Sequence, residues 1–201
     1  RWFEQALGGM GIETAFIDAN VLPGEIDTGD FLDCYGTHYY KAQQVAQLAK
    51  LLNEGSITDG DVVFFTDAWH PGVTALAYMR DIGKVSFKLA GFFHAGSWDT
   101  HDLLSRVNMQ RWCSGVERGW MEALDVSCVA TEYHANMIRQ ARDVAHVTVT
   151  GLPVYPEFTW QAAKWDDRPM RVVFPHRLHA DKDLEAADRI VQKARDLGHE
   201  F

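Results

Sequence analysis

Two basic side chains near the end of the chain, Arg177 and Lys182, have the types and spacing of a diphosphate-binding pair. They flank the start of a predicted helix whose N-cap is Asp181 or Asp183. Free backbone N–H groups at a helix start attract anions, and an arginine fork beside a lysine point charge suits a diphosphate. The alternative is a solvated loop in which the neighbouring aspartates pair with both cations.

A histidine at the end of another apolar segment is the second candidate. His94 precedes a run of small residues that includes Gly96, which would let the backbone approach a ligand closely. An imidazole in this position can form a hydrogen bond with a sugar hydroxyl or a phosphate. The alternative is a loop histidine whose hydrogen bonds are satisfied inside the protein.

Asp67, Trp69 and His70 follow a third apolar segment. An indole stacks on a sugar ring or a base and a carboxylate holds a hydroxyl, so these residues are candidates for an acceptor pocket. Otherwise Trp69 packs against its own loop, which is the simpler interpretation. Glu132 either contacts the ligand or supports the first turn of its helix, and we favour the second.

Several other chemistries lack their motifs. The sequence contains no G-x-S-x-G nucleophile elbow and no G-x-x-x-x-G-K-[ST] phosphate loop. The glycine-rich run at 8–11 follows a predicted helix and precedes a predicted strand, which is the reverse of the order in a dinucleotide fingerprint. Four residues near the middle of the chain match no standard metal spacing, so we expect no metal site from them: His94, Asp99, His101 and Asp102.

The composition is that of an ordinary globular protein. The 201 residues are 47% hydrophobic and 23% charged, with a net charge of −9. This acidity argues against general nucleic-acid binding, although it is compatible with a local basic cleft. No apolar run approaches the roughly 18 residues that cross a bilayer, and no signal peptide is visible, so we expect no membrane span and a cytoplasmic location. Three cysteines without a C-x-x-C pair argue against a disulfide framework or a zinc ribbon, and we expect them to be half-buried: Cys34, Cys113 and Cys128.

Helical and strand patterns alternate along the chain. Helices are predicted at 2–8, 38–53, 73–80, 101–123, 133–142 and 184–197, and strands at 13–18, 61–65, within 85–93, and at 125–130, 146–150 and 171–174. The segment 101–123 is either continuous or divided around Gly115. This alternation predicts a Rossmann-like α/β fold, with a parallel sheet and helices on both faces. Ligands of such sheets bind outside the carboxyl ends of the strands, where the candidate residues of the predicted strands gather.

The order of these elements resembles the retaining nucleotide-sugar glycosyltransferases of GT-B architecture, in which two Rossmann-like domains face each other. Arg177 and Lys182 match the basic pair that binds the donor diphosphate in that family. The surrounding segment 174–183 is most similar to the branch containing tRNA-queuosine mannosyltransferases and related bacterial and phage enzymes. Phe93-His94 resembles the family's histidine at the strand exit of the acceptor domain, and the segment 130–134 resembles a family strand and helix start. The likeness covers roughly residues 60–200.

The resemblance implies an enzyme that moves a sugar from a nucleoside-diphosphate sugar to an acceptor hydroxyl, a hexosyltransferase acting with retention. Arg177 and Lys182 would neutralise the leaving diphosphate, and His94 would orient donor or acceptor at the catalytic centre. No metal or cofactor beside the nucleotide sugar is implied. The residues expected to line the acceptor site are Asp67, Trp69, His70, Gly96 and Glu132.

The change in composition at 152–169, which holds three of the six prolines and little periodicity, and the resemblance together predict a domain division. Residues 1–151 would form the N-terminal acceptor-side domain, 152–169 a proline-rich linker, and 170–201 the first βα unit of a truncated C-terminal donor-binding domain. The family's first strand with its glycine-rich loop, and the E-x₇-E-like element that contacts the donor, would lie outside this chain. We therefore expect a fragment of a longer protein.

The acceptor stays open at this point. The branch suggests a modified nucleoside in tRNA or phage DNA, whereas the acidity of the chain fits a glycan or a small molecule better. From other classes, a nucleotide-sugar epimerase shares the two-domain architecture, and a non-catalytic α/β module would bind the ligand without turnover.

Overall fold

The computed structural model describes residues 2–22, 33–152 and 184–198. Its helices and strands are, in chain order, α1 (Trp2–Gly9), α2 (Cys34–Asn53), β1 (Val62–Phe65), α3 (Gly72–Ile82), β2 (Lys88–Phe92), α4 (Leu103–Arg106), α5 (Gln110–Ala123), β3 (Val126–Val129), α6 (Glu132–Arg142), β4 (Val147–Val149) and α7 (Leu184–Asp196). The elements α1 to β4 belong to one compact unit and α7 to a second. The predicted linker at 152–169 falls outside the described residues from position 153 onward, as does the whole predicted strand at 171–174.

The first unit is built on a four-stranded parallel sheet in the order β1-β2-β3-β4. Its central strands are short apolar segments, as expected for a sheet buried under crossover helices. The helices α3, α5 and α6 contact one another in series, while α3 also packs on β2 and α6 on β3 and β4. The predicted α/β class, a parallel sheet with helices around it, is confirmed.

One continuous hydrophobic core lies between the sheet and these helices. Its fully buried members include Leu76 of α3, Leu89 of β2, Val129 of β3 and Ile138 of α6. Alternate strand residues face away from this core, and Val62 and Val126 on that side are 60% and 41% exposed. The core therefore fixes which face of each strand is turned toward these helices.

The prediction of a strand at 13–18 is wrong. Among the described residues this segment has no strand neighbour, and side chains of α2 bind its backbone instead. Gln44 Nε2 donates to the carbonyl of Ile17 at 2.7 Å, and just after the segment Gln43 Nε2 donates to that of Asn20 at 2.8 Å. A strand-like sequence forms a strand only where another strand's backbone takes its hydrogen bonds, and here a helix supplies side-chain donors.

The helical segment 101–123 is divided, but at a different place from the predicted one. The break lies at 107–109, between α4 and α5, where Asn108 adopts a left-handed conformation (φ 58°). Asparagine tolerates this conformation better than most residues, so the helix can end and restart there. Gly115 lies inside α5, exposed and without distortion of the helix.

The cysteines differ from the expected half-buried state. Cys34 is exposed, whereas Cys113 and Cys128 are buried. Burial raises the pKa of the Cys113 thiol to about 11. The buried pair therefore consists of neutral, apolar-like side chains in the core.

Gly91 of β2 provides a test of how tightly the sheet packs under its first loop. A Cβ atom at this position would lie 2.8 Å from Ala68 Cβ and 3.3 Å from Leu124 Cδ1. We expect Gly91→Ala to lower the free energy of unfolding by about 1–3 kcal/mol, because the added methyl group overpacks the site. Urea denaturation measures this change.

The matched control is Gly115→Ala. A Cβ atom there meets nothing within 4 Å, so alanine should raise the free energy of unfolding by about 1 kcal/mol through its higher helix propensity. A similar loss of stability in both variants would contradict the overpacking argument.

Candidate functional site

The carboxyl ends of the four parallel strands bring the sequence-predicted residues of this unit to one edge of the sheet. Asp67 and the loop around it follow β1, His94 follows β2, and Glu132 follows β3 at the start of α6. Backbone hydrogen bonds continue past the strand ends, with Ala68 N donating to Phe92 O and Phe93 N donating to Cys128 O, both at 2.8 Å. The first residues of the loops after β1 and β2 are therefore tied to the ends of the neighbouring strands.

His94 is exposed and joins the exits of β1 and β2. Its Nε2 lies 2.8 Å from the carbonyl oxygen of Thr66, and its ring lies 4.5 Å from that of Phe92, centroid to centroid. A carbonyl can only accept, so Nε2 carries the proton. Nδ1 forms no hydrogen bond within the part of the chain that the structure describes. In the neutral ring this atom is an acceptor, suited to a ligand hydroxyl.

Trp69 is half-buried and held from three directions. Its indole Nε1 donates to Glu117 Oε1 at 3.1 Å, its carbonyl oxygen accepts from Lys41 Nζ at 2.6 Å, and its ring meets Trp120 edge-on with the centroids 5.3 Å apart. These contacts show that Trp69 packs against its own surroundings. Whether its remaining surface also stacks on a sugar stays a prediction.

His70 is buried, with both ring nitrogens engaged. Nδ1 accepts from Gly72 N at 2.8 Å, so Nε2 carries the proton and donates to Gln44 Oε1 at 3.2 Å. Burial, helped by the nearby charges of Lys41 and His38, lowers the pKa of His70 to about 4. The ring is neutral at pH 7 and links the β1 exit to α2, and its predicted contact with an acceptor stays a prediction.

The other predicted residues have local partners. Asp67 is exposed, and its Oδ1 accepts from Trp69 N at 3.1 Å. Gly96 is buried, and a Cβ atom there would collide with the ring of Trp98, so its small size serves packing inside the protein. Glu132 lies in the first turn of α6 and pairs with Arg139 at 3.4 Å, which agrees with a supporting role in its helix.

The sequence motifs did not predict a buried charged network that lies beside these loops. Glu117 of α5 is 0% exposed and Arg142 of α6 is 8% exposed, and Arg142 Nη2 lies 2.7 Å from Glu117 Oε2. Ser97, 1% exposed, completes the cluster. A signal for Glu117 was present in the helical spacing, because it falls four positions from two apolar residues of the buried face, Cys113 and Met121.

The predicted diphosphate pair, Arg177 and Lys182, lies outside the described residues. Within the described ranges, no group of three or more potential ligands could hold a metal ion. No helix in those ranges is both long and apolar enough to cross a membrane. No protein-family model, no curated protein and no solved structure matches the chain.

The buried ion pair leads to a stability prediction. We expect Arg142→Met to lower the free energy of unfolding by about 3–5 kcal/mol, because it leaves the Glu117 carboxylate buried without its cation. The control is Arg118→Met, which removes an exposed partner of Glu122 on the same helix α5 and should change stability little. Equal effects of the two variants in urea denaturation would show that the Glu117–Arg142 pair is not a buried charge pair in solution.

His70 leads to a pH prediction. A histidine in an unfolded chain titrates near 6.5, whereas the pKa of folded His70 is about 4. Between these values the unfolded state binds a proton that the folded state does not. The free energy of unfolding should therefore fall by up to about 3 kcal/mol as the pH is lowered from 7 to 4.

Urea denaturation of the wild type and of His70→Gln across this pH range isolates the contribution of the ring. The glutamine oxygen can still accept from Gly72 N, but the amide does not titrate. The free energy of unfolding of the wild type, relative to that of His70→Gln, should fall as the pH is lowered from 7 to 4. A difference that does not depend on pH would contradict the lowered pKa of His70.

Proposed function

We propose that this chain carries the acceptor-side part of a glycosyltransferase that moves a sugar from a nucleoside-diphosphate sugar to an acceptor hydroxyl, with retention. The observation that supports the proposal is the position and hydrogen bonding of His94. His94 is exposed at the carboxyl edge of a parallel sheet, its Nε2 is held by the carbonyl of Thr66, and its Nδ1 has no partner among the described residues and can act as an acceptor. An imidazole held in this way can bind a hydroxyl in a defined direction.

The proposed reaction breaks the bond between the anomeric carbon of the donor and the diphosphate oxygen. A new bond forms from that carbon to the acceptor oxygen, and the acceptor proton leaves with the diphosphate or to water. Negative charge develops on the diphosphate, and Arg177 and Lys182 are the residues proposed to neutralise it. With this pair in place the proposal requires no metal and no cofactor beyond the nucleotide sugar.

The exposed atoms at the sheet edge suit a polar acceptor. Asp67 Oδ1 is occupied by Trp69 N, but its carboxylate lies at the surface within reach of a hydroxyl. The proposed acceptor is a modified nucleoside in tRNA or phage DNA, and the competing one is a glycan or a small molecule. The net charge of −9 favours the competing acceptor, because tRNA and DNA are polyanions that gain binding energy from basic surface.

Arg177→Ala tests the proposed reaction in the full-length enzyme. We expect kcat/KM for sugar transfer to fall at least about tenfold, because the leaving diphosphate loses a charge partner. The matched control is Arg189→Ala, since Arg189 is an exposed residue of α7 that pairs with Glu185 at 3.9 Å on the helix surface. An unchanged kcat/KM for Arg177→Ala would remove the diphosphate assignment.

Thermal unfolding with UDP- and GDP-sugars separates the competing classes. Stabilisation by one nucleotide sugar together with transfer to an acceptor supports the proposal. Isomerisation of the bound sugar without an acceptor identifies an epimerase, and binding without turnover identifies a non-catalytic module. If none of the nucleotide sugars stabilises the protein, the proposal is overturned.

A further inference from the structure

We infer that Glu117 is a positioning residue that, with Arg142 and Ser97, holds the His94 loop and the Trp69 indole in one fixed relation. Its link to sugar transfer rests on the proposed function, while its structural part can be tested without any sugar. Glu117 lies on α5, away from the strand exits in sequence, but its carboxylate contacts residues that follow both β1 and β2.

Three residues on separate segments donate to this carboxylate: Trp69, Ser97 and Arg142. Oε1 accepts from Trp69 Nε1 at 3.1 Å and from Ser97 N at 2.7 Å. Oε2 accepts from Ser97 Oγ at 2.7 Å and from Arg142 Nη2 and Nε at 2.7 and 3.0 Å. Arg142 Nη2 also donates to Ser97 Oγ at 2.7 Å, which closes the cluster. Charged hydrogen bonds of this kind are short and directional, so they define where each partner sits.

The free-energy cost of burying the Glu117–Arg142 pair indicates that the network serves to position the loops rather than to stabilise the fold. A buried ion pair is often no more stabilising than apolar residues of the same volume, because both charges must lose their water. Here the carboxylate and the guanidinium come from the rigid helices α5 and α6, whereas the groups they hold, Trp69 and Ser97, belong to loops. Anchors on helices hold a side chain more accurately than loop contacts do.

The His94 loop is connected to Glu117 through Ser97. Ser97 lies three positions after His94, and its carbonyl accepts from Gln110 Nε2 at 2.9 Å. At the other end of the loop, His94 Nε2 is bound to the carbonyl of Thr66, which precedes the Trp69 loop. The hydrogen bond between His94 and Thr66 therefore connects the two loops at the surface. The Glu117 carboxylate connects them a second time, because it binds Trp69 of one loop and Ser97 of the other.

Ser97→Ala is the first test, because it removes the Oγ contacts and leaves the Glu117–Arg142 pair in place. Ser114→Ala is the matched control, since Ser114 lies on α5 and forms no side-chain hydrogen bond within the described part of the chain. Glu117→Gln is the stronger variant, and it removes the negative charge that the Trp69 indole binds. The exposed residue Glu122 on the same helix provides its control as Glu122→Gln.

Nuclear magnetic resonance reads the positions directly. The Trp69 indole N–H signal is assigned by its loss in Trp69→Phe, and the backbone amides at 94–98 report on the loop through hydrogen exchange. We expect Ser97→Ala and Glu117→Gln to shift the Trp69 signal and to speed exchange of the loop amides by at least about tenfold, with no such change in the controls. In the full-length enzyme, kcat should fall by up to about 10²-fold while the KM for the nucleotide sugar changes little.

The outcomes separate the two claims. Unchanged Trp69 and loop signals in a folded Ser97→Ala or Glu117→Gln protein would overturn the positioning role, whatever the enzyme does. A loosened loop with unchanged kcat in an active enzyme would overturn the link to sugar transfer, because the network would then be structural only. If the wild type binds and transfers no nucleotide sugar, the proposed function fails, and the resonance measurements alone decide whether Glu117 holds the two loops.

Discussion

A carboxylate removed from water must be surrounded by donors, and this constraint shapes the whole carboxyl edge of the sheet. Glu117 is fully buried, and its oxygens accept from an indole, a backbone amide, a hydroxyl and a guanidinium. These donors come from Trp69, Ser97 and Arg142, so satisfying one charge brings the loops after β1 and β2 together with the end of α6. Loss of Arg142 would leave the carboxylate as an unpaired buried charge, whereas loss of the Trp69 or Ser97 side chain would leave it paired but with fewer donors.

The residues at this edge divide into those that are satisfied and those that remain open. His70 uses both ring nitrogens inside the protein, and Trp69 is bound through its indole nitrogen and its carbonyl. Within the described part of the chain, His94 keeps one ring nitrogen without a partner, and Asp67 is exposed. Trp69 and His70, whose polar atoms are hydrogen-bonded inside the protein, support the loops. His94 and Asp67 are exposed to solvent, where a ligand can bind. This division is what makes the edge a candidate site.

The elements of the first unit were largely predictable because their signals are local. The apolar run at 61–65 became β1, and the helical spacing at 133–142 became most of α6, whose N-cap Thr131 accepts from His134 N. The strand predicted at 13–18 failed because strand formation needs a partner that local pattern does not reveal. The helix break was predicted at Gly115 but lies at 107–109. Glycine is tolerated inside a helix, whereas the left-handed conformation of Asn108 cannot continue one.

The sequence alone determined that the chain would form an α/β unit and that polar residues would follow its strands, because hydrophobic periodicity and turn residues act over short distances. It also marked His94, Asp67 and Trp69 as members of one edge, since parallel strands all end on the same side. Only the tertiary structure decided which of these side chains are occupied and which are open. It alone joined Glu117 to Ser97 and Arg142, which lie 20 and 25 positions away along the chain. The pairing of buried charges depends on distances that arise only after the helices have packed on the sheet.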